Sequence, residues 1–125
     1  MSPDAAEEEN IMKASLKIMG QTLIIAPVGD LDHHTVSDLR ERIDKEARLK
    51  NVRNILFDFS KVEFMDSSGI GLIIGRYKLT GASGGITAVC HMKDSLRRIF
   101  EISGLKKIIQ TYKDVGEALA QIQSQ

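Results

Sequence analysis

The chain has 125 residues, of which 42% are hydrophobic and 27% are charged. This length corresponds to one domain with a single hydrophobic core. The 17 Lys and Arg residues balance 17 Asp and Glu, and the chain has no Trp, two Tyr and four Phe. A strongly basic nucleic-acid-binding protein with many base-stacking aromatics is therefore excluded. The single cysteine, Cys90, excludes an internal disulfide and a zinc site built from several thiolates, and it indicates a reducing compartment.

The zero net charge conceals an acidic N-terminus. Residues 1–10 contain Asp4, Glu7, Glu8 and Glu9 without Lys or Arg, a charge of −4, so the other 115 residues carry +4. We expect residues 1–12 to form a disordered acidic tail and residues 13–123 to form the folded domain. No apolar run is long enough for a signal peptide or a membrane span, so we expect a cytoplasmic protein without membrane contacts.

Hydrophobic spacing predicts five strands and four helices in the order β-β-α-β-α-β-α-β-α. The predicted strands cover residues 14–19, 22–28, 53–59, 86–90 and 105–110. Pro27 predicts an edge or terminal position for the end of the second strand. The predicted helices begin near residues 36, 67, 94 and 115, the first and last of them with capping boxes at Thr35–Asp38 and Asp114–Glu117. Because strands alternate with helices after the opening hairpin, the sequence predicts an α/β fold with a single mixed, mostly parallel β-sheet.

Two junctions between a strand and a helix carry the polar residues that could have a function. One is Gly29–Thr35, and the other is Met65–Gly69, where Ser67 and Ser68 stand at the predicted start of a helix. A helix N-terminus presents free N–H groups, so a phosphate on either serine could be held there without unfolding the helix. The alternative is that Ser67 is simply the N-cap of the helix.

An enzyme or a metal site is disfavoured by the same residues. Ser67, Asp32 or Asp66, and His34 supply the residue types of a hydrolytic triad, but the chain lacks a Gly-x-Ser-x-Gly elbow. An aspartate next to the nucleophile would also repel a developing oxyanion. Neither the adjacent pair His33 and His34 nor His91 has ligand spacing, so we expect no metal, no cofactor and no catalysis.

Two further features have ordinary structural interpretations. Cys90 ends an apolar strand and is predicted to be a small buried hydrophobic residue. A basic cluster is predicted to be a solvated surface, with a docking site for an acidic partner as the alternative. Its members are Lys93, Arg97, Arg98, Lys106, Lys107 and Lys113.

Three sequence blocks give the chain a resemblance to the anti-sigma factor antagonists of the STAS family, specifically to their sporulation branch. The blocks are GDLDHHT at 29–35, FMDSSGIGLIIGRYK at 64–78 and LRRIFEISGLKKII at 96–109. The resemblance implies a STAS fold and a small, non-enzymatic switch protein. It also implies that the unphosphorylated chain binds an anti-sigma factor that is a serine kinase, and so indirectly releases a sporulation sigma factor.

The same resemblance implies which residues act in the switch. The kinase would phosphorylate Ser67 and so abolish binding, and a separate serine phosphatase would reset the protein. The partner-binding residues carried over from the family are Asp32, Asp66, Ser67, Ser68 and Gly69. No nucleic acid would take part, and we expect a monomer. The alternative is a nucleotide-sensing STAS subunit of another signalling assembly.

Overall fold

The computed structural model describes residues 12–124, which form five strands and four α-helices. The strands are β1 (Lys13–Met19), β2 (Thr22–Val28), β3 (Asn54–Asp58), β4 (Thr87–Cys90) and β5 (Gln110–Tyr112). The helices are α1 (Val36–Lys50), α2 (Ser67–Ala82), α3 (Asp94–Ser103) and α4 (Val115–Gln123), with a 3-10 turn at Leu105–Lys107. None of the described helices is long and apolar enough to cross a membrane.

The strands form one mixed sheet in the order β1-β2-β3-β4-β5. β1 and β2 pair antiparallel through a tight turn in which Gly20 adopts a positive φ of 61°. The pairs β2–β3, β3–β4 and β4–β5 are all parallel. Each parallel connection contains a helix, because parallel neighbours require a long crossover. The predicted fold class is therefore confirmed, including the N-terminal hairpin and the four helices.

Helices cover both faces of the sheet and divide the core into two parts. The larger cluster joins Leu23 and Ile25 of β2 to apolar residues of α1, α2 and α3, including Phe100. The smaller cluster joins Ile24 of β2 and Leu56 of β3 to α4. Neighbouring residues of β2 thus face opposite sides, and both sides are buried, which explains the continuous apolar run in the sequence.

The predicted strand over residues 105–110 is wrong in position. Residues 105–107 form the 3-10 turn, and the strand follows at Gln110–Tyr112. Leu105 and Ile109 are both buried, and their spacing of four residues fits one helical turn better than a strand. The strand itself is short, lies at the sheet edge and is polar, so alternation of hydrophobic residues could not reveal it.

The expected capping box at Thr35–Asp38 is also wrong. Thr35 precedes α1 but makes no side-chain cap, and its Oγ1 donates instead to the carbonyl oxygen of Asp30 at 3.0 Å. Asp38 accepts a hydrogen bond from the backbone N–H of Met12 at 3.3 Å and lies 3.6 Å from Arg42. Asp38 therefore binds the chain entering β1, and at the start of α1 the N–H of Val36 donates to the carbonyl oxygen of Asp32 at 2.9 Å.

The beginning of the described chain is anchored to α1. Met12 is only 3% exposed, and its carbonyl oxygen accepts a hydrogen bond of 2.7 Å from Arg42. The predicted tail includes Met12, yet this residue belongs to the large core cluster. The rest of that tail lies outside the described residues. Pro27 is terminal but not at an edge, because it lies beyond the last β2 residue that pairs with β3, and β2 has neighbours on both sides.

Candidate functional site

The two polar junctions are hydrogen-bonded to each other at the end of β2 and β3. The N–H of Leu31 donates to the carbonyl oxygen of Phe64 at 3.1 Å, and the N–H of Asp66 donates to the carbonyl oxygen of Leu31 at 3.0 Å. Leu31 and Met65 form a parallel bridge and are both buried. The loop before α1 and the start of α2 therefore form one continuous surface, as expected for the carboxyl ends of adjacent parallel strands.

Asp66, rather than Ser67, is the N-cap of α2. Its Oδ1 accepts hydrogen bonds from the N–H groups of Ser68 at 2.8 Å and Gly69 at 3.4 Å. The alternative that Ser67 is simply the N-cap is therefore wrong. The sequence suggests that free N–H groups at the start of the helix could hold a phosphate on a serine. The N–H groups of Ser68 and Gly69 are not free for this, because they donate to the Asp66 carboxylate.

A third donor to Asp66 comes from the other loop. The N–H of His33 donates to Asp66 Oδ2 at 3.3 Å, and Nδ1 of the His33 ring lies 3.8 Å from the same oxygen. Partial burial raises the pKa of Asp66, but the N–H donors of Ser68, Gly69 and His33 outweigh this effect and hold the pKa below its ordinary value. Asp66 is therefore a carboxylate at neutral pH and links the two loops.

The three residues that follow Asp66 have different environments. Ser67 is exposed at the first position of α2, Ser68 is half-buried, and Gly69 is buried. A Cβ on Gly69 would lie 2.8 Å from Met65 Cβ and 3.0 Å from Leu31 Cβ. Gly69 thus allows the helix to approach the loop closely, and the hydroxyl of Ser67 is the one presented to solvent.

Asp32 organises its own loop. Its Oδ1 accepts hydrogen bonds from the N–H of His34 at 2.9 Å and of Thr35 at 3.2 Å, and Asp32 is half-buried. This carboxylate fixes the turn that leads into α1, so it places the N–H of His33 against Asp66. Asp30 is exposed in the same loop. The structure therefore brings the predicted residues Asp32, Asp66 and Ser67 into one assembly.

The sequence does not identify two residues, Phe64 and His33, as parts of this surface. Phe64 is 49% exposed immediately before the buried Met65, although it is a large aromatic residue. His33 has a side chain that is 70% exposed next to Asp66. An exposed aromatic residue beside polar groups is typical of a protein-binding surface. Phe64, two residues before Asp66, is the only local signal of the two, because His33 is 33 positions from Asp66 and reaches it through the fold.

The hydrolase alternative finds no support in the geometry. The histidine close to a site carboxylate is His33, while His34 contributes a backbone hydrogen bond to Asp32. Among residues 12–124, no hydrogen bond joins Ser67 to a histidine. A serine nucleophile requires such a base within hydrogen-bonding reach.

The basic cluster is partly paired, and its first member reaches the residue before Phe64. Lys93 binds Glu63 at 3.1 Å, and Lys106 binds Glu101 at 3.4 Å. These exposed ion pairs are consistent with a solvated surface. Cys90 is fully buried, as predicted.

Comparisons with known proteins agree with the fold. The STAS domain family matches residues 13–118. An anti-sigma F factor antagonist of Paenibacillus polymyxa is 38% identical over 101 residues, covering 81% of this chain and 86% of that protein. The structure of the anti-sigma factor antagonist SpoIIAA in its unphosphorylated form matches with a TM-score of 0.72 and 27% identity, covering 89% of this chain and 98% of the other. The phosphorylated form of the Bacillus cell fate determinant SpoIIAA matches with a TM-score of 0.69 and 31% identity, covering 88% of this chain and 99% of the other. The chain therefore belongs to the STAS domain family and resembles the anti-sigma factor antagonists within it.

Proposed function

We propose that this protein is an anti-sigma factor antagonist controlled by phosphorylation of Ser67. The unphosphorylated chain binds an anti-sigma factor that is also a serine kinase, and this binding releases a sporulation sigma factor in the cytoplasm. The kinase phosphorylates Ser67, the complex dissociates, and a serine phosphatase restores the active form. The proposal is supported by the similarity to an anti-sigma F factor antagonist and by the existence of a phosphorylated form of SpoIIAA.

The observation that carries the proposal is the position of Ser67 next to a fixed carboxylate. Ser67 is exposed and follows Asp66, whose carboxylate is held by N–H groups from both loops. A kinase can reach this hydroxyl without disturbing the buried residues of α2. Among residues 12–124, no histidine is hydrogen-bonded to Ser67, which supports a binding role over a hydrolytic one.

Phosphorylation would change the charge of this surface strongly. A phosphoserine adds about −1.5 to −2 charges at neutral pH. The N–H groups of Ser68 and Gly69 already donate to Asp66 and do not neutralise the added charge. The phosphate therefore stands in the field of Asp66 within a protein interface. A loss of about 3 kcal/mol of binding free energy there corresponds to a weakening of roughly a hundredfold.

The surface around Ser67 offers a partner both apolar and polar contacts. Phe64 is exposed three residues before Ser67, and His33 is exposed next to Asp66. Asp32 holds the loop that carries His33. Gly69 is buried, so in our proposal it positions the helix instead of contacting the partner. Ser68 is half-buried and is the less accessible of the two hydroxyls. We propose that a single copy of the chain presents this surface.

Mass spectrometry after incubation with the cognate kinase and ATP tests the site. We expect one phosphate, located on Ser67 and lost in Ser67→Ala. Ser37→Ala is the matched control, because Ser37 is exposed on the neighbouring helix α1. Phosphate found only away from Ser67 and Ser68 would refute the assignment.

Binding measurements separate this function from nucleotide sensing. Titration calorimetry should give Ser67→Ala an affinity for the anti-sigma factor close to that of the unmodified chain, and Ser67→Asp a weaker one. Equal affinities of the two variants would contradict the electrostatic mechanism. A rise in melting temperature with GTP or ATP alone would favour the nucleotide-sensing alternative.

A further inference from the structure

Asp58 and Cys90 come together at the ends of two adjacent parallel strands. Asp58 is the last residue of β3, Cys90 is the last residue of β4, and the two are register partners. The N–H of Phe59 donates to the carbonyl oxygen of Cys90 at 3.0 Å, so the pairing persists to the end of both strands. Register partners project their side chains from the same face of the sheet. The thiol and the carboxylate are therefore neighbours.

His91 joins this pair because the backbone turns sharply after β4. Its φ is +58°, one of two positive values found at non-glycine residues among those described. In a regular strand, consecutive side chains point to opposite faces, so residues 90 and 91 would diverge. The left-handed turn at His91 ends the strand and brings the imidazole to the side of Cys90. Asp58, Cys90 and His91 then place one oxygen, one sulfur and one nitrogen within 4.8 Å of one another.

We propose that Asp58, Cys90 and His91 form a binding site for Zn²⁺ at the ends of β3 and β4. Zinc accepts thiolate, imidazole and carboxylate ligands at about 2.0 to 2.3 Å, and its four ligands form a tetrahedron. Ligand atoms in such a tetrahedron lie roughly 3.3 to 3.8 Å apart. Because 4.8 Å is the upper limit of the donor separations, the three donors need to approach one another by at most about 1 to 1.5 Å. Water occupies the fourth position.

The negative charge around the three residues favours the binding of a cation. The carboxylates Asp58 and Asp114 both act on Cys90 through their negative charge. The same negative field attracts a divalent cation, whose charge displaces the thiol proton on binding. The Oδ1 of Asp58 also accepts a hydrogen bond from the N–H of Ser60 at 3.1 Å, which orients the carboxylate.

The three ligands differ in solvent exposure, and this gives the ion a route to the site. Cys90 is fully buried, Asp58 is half-buried and His91 is exposed. The imidazole thus stands at the mouth of the site and the thiol at its base. Zinc bound here would connect β3 with β4. Cys90 belongs to the core cluster on the α4 side of the sheet, whereas α2, which carries Ser67, packs against the other cluster. The site is therefore separate from the proposed phosphorylation surface. It also departs from the expectation of no metal, which considered the histidines only along the sequence.

Cobalt substitution is the direct test, because Co²⁺ bound to a thiolate has a characteristic charge-transfer absorption. We expect the full chain, reduced and metal-free, to take up one equivalent of Co²⁺ with this absorption and to lose it on addition of Zn²⁺. We also expect Zn²⁺ to raise the melting temperature, since a ligand that binds only the folded state stabilises it.

Two ligand variants and one control make the test decisive. Cys90→Ser should abolish the charge-transfer band, and His91→Asn should weaken binding by at least about tenfold. His91→Asn retains a residue type that tolerates the left-handed conformation, so it is expected to fold even if Cys90→Ser does not. His33→Asn is the control for weak binding at the exposed histidine pair. Absence of the thiolate band, or zinc affinity unchanged in His91→Asn, would overturn the proposal.

Discussion

Replacement of Gly69 by alanine tests whether close packing positions Ser67. The added Cβ would lie 2.8 Å from Met65 Cβ and 3.0 Å from both Leu31 Cβ and the Leu31 carbonyl oxygen. All three atoms belong to the buried junction, and one of them is backbone. The start of α2 can relieve these contacts only by moving away from the loop that carries Asp32.

Gly71→Ala is the matched control in the same helix. A Cβ on Gly71 would meet nothing within 4 Å, and Gly71 is exposed. Both substitutions gain helix propensity, roughly 1 kcal/mol in a helix interior. The difference between the two variants therefore isolates the steric effect at Gly69, which we expect to be about 1 to 3 kcal/mol, as for other overpacked sites.

Urea unfolding and thermal melting of the two variants measure this difference. Gly69→Ala should melt below Gly71→Ala by several degrees, since for a domain of this size 1 kcal/mol corresponds to roughly 3 to 6 °C. Kinase phosphorylation of Ser67 should also slow in Gly69→Ala but not in Gly71→Ala. If Gly69→Ala is as stable as Gly71→Ala, the close approach of helix and loop does not position the site.

Three further substitutions test the other contacts. Asp66→Ala should cost about 0.5 to 2 kcal/mol at pH 7, because it removes the α2 N-cap. The pKa of Asp66 is lower in the folded state than in the unfolded state, where it is near 4. The extra stability of the native chain over Asp66→Ala is therefore present above about pH 4 and is lost as the pH falls through the folded-state pKa. Urea unfolding at a series of pH values measures this loss. Gly85→Ala should lower the free energy of unfolding, measured in urea, by more than about 3 kcal/mol, because the added Cβ would overlap the Arg53 carbonyl oxygen. Asp44→Ala should lower the free energy of unfolding by about 1 to 3 kcal/mol in the same assay. It removes the carboxylate that lies 3.3 Å from Arg76, whose side chain is only 8% exposed. Unchanged stability would contradict the importance of this ion pair.

The sequence predicts the overall fold well because the signals are local and strong. The hairpin depends on the Gly20 turn, and α3 ends at Gly104, which adopts the predicted left-handed conformation. Asp114 accepts a hydrogen bond from the N–H of Glu117 at 2.8 Å, so the final helix also begins as predicted. Each of these features is set by a few neighbouring residues.

The errors concern features that depend on distant contacts. Asp38 looked like a capping residue, but it binds the N–H of Met12, which is 26 positions away. Ser67 is a candidate for the N-cap in the sequence, yet Asp66 takes this role, and the N–H of His33, 33 positions away, also binds its carboxylate. Among local signals, Asp and Ser are equally good caps, so the sequence alone could not choose between them.

The candidate zinc ligands also depend on contacts between residues that are far apart in the sequence. Asp58 and Cys90 become neighbours only through the register of β3 and β4, and His91 joins them through a positive φ. No spacing along the chain reveals this combination. The motif around Ser67 was visible because its residues are close in sequence, whereas its connection to Asp32 depends on hydrogen bonds between the loops.

The most direct test of the proposed function is the affinity of the phosphorylated protein for the anti-sigma factor. The chain should be phosphorylated stoichiometrically on Ser67, separated from the unmodified form, and titrated in a calorimeter at the same salt concentration. We expect binding that is weaker by about a hundredfold or more, and recovery of affinity after treatment with a serine phosphatase. Equal affinity of the phosphorylated and unphosphorylated chains would contradict it.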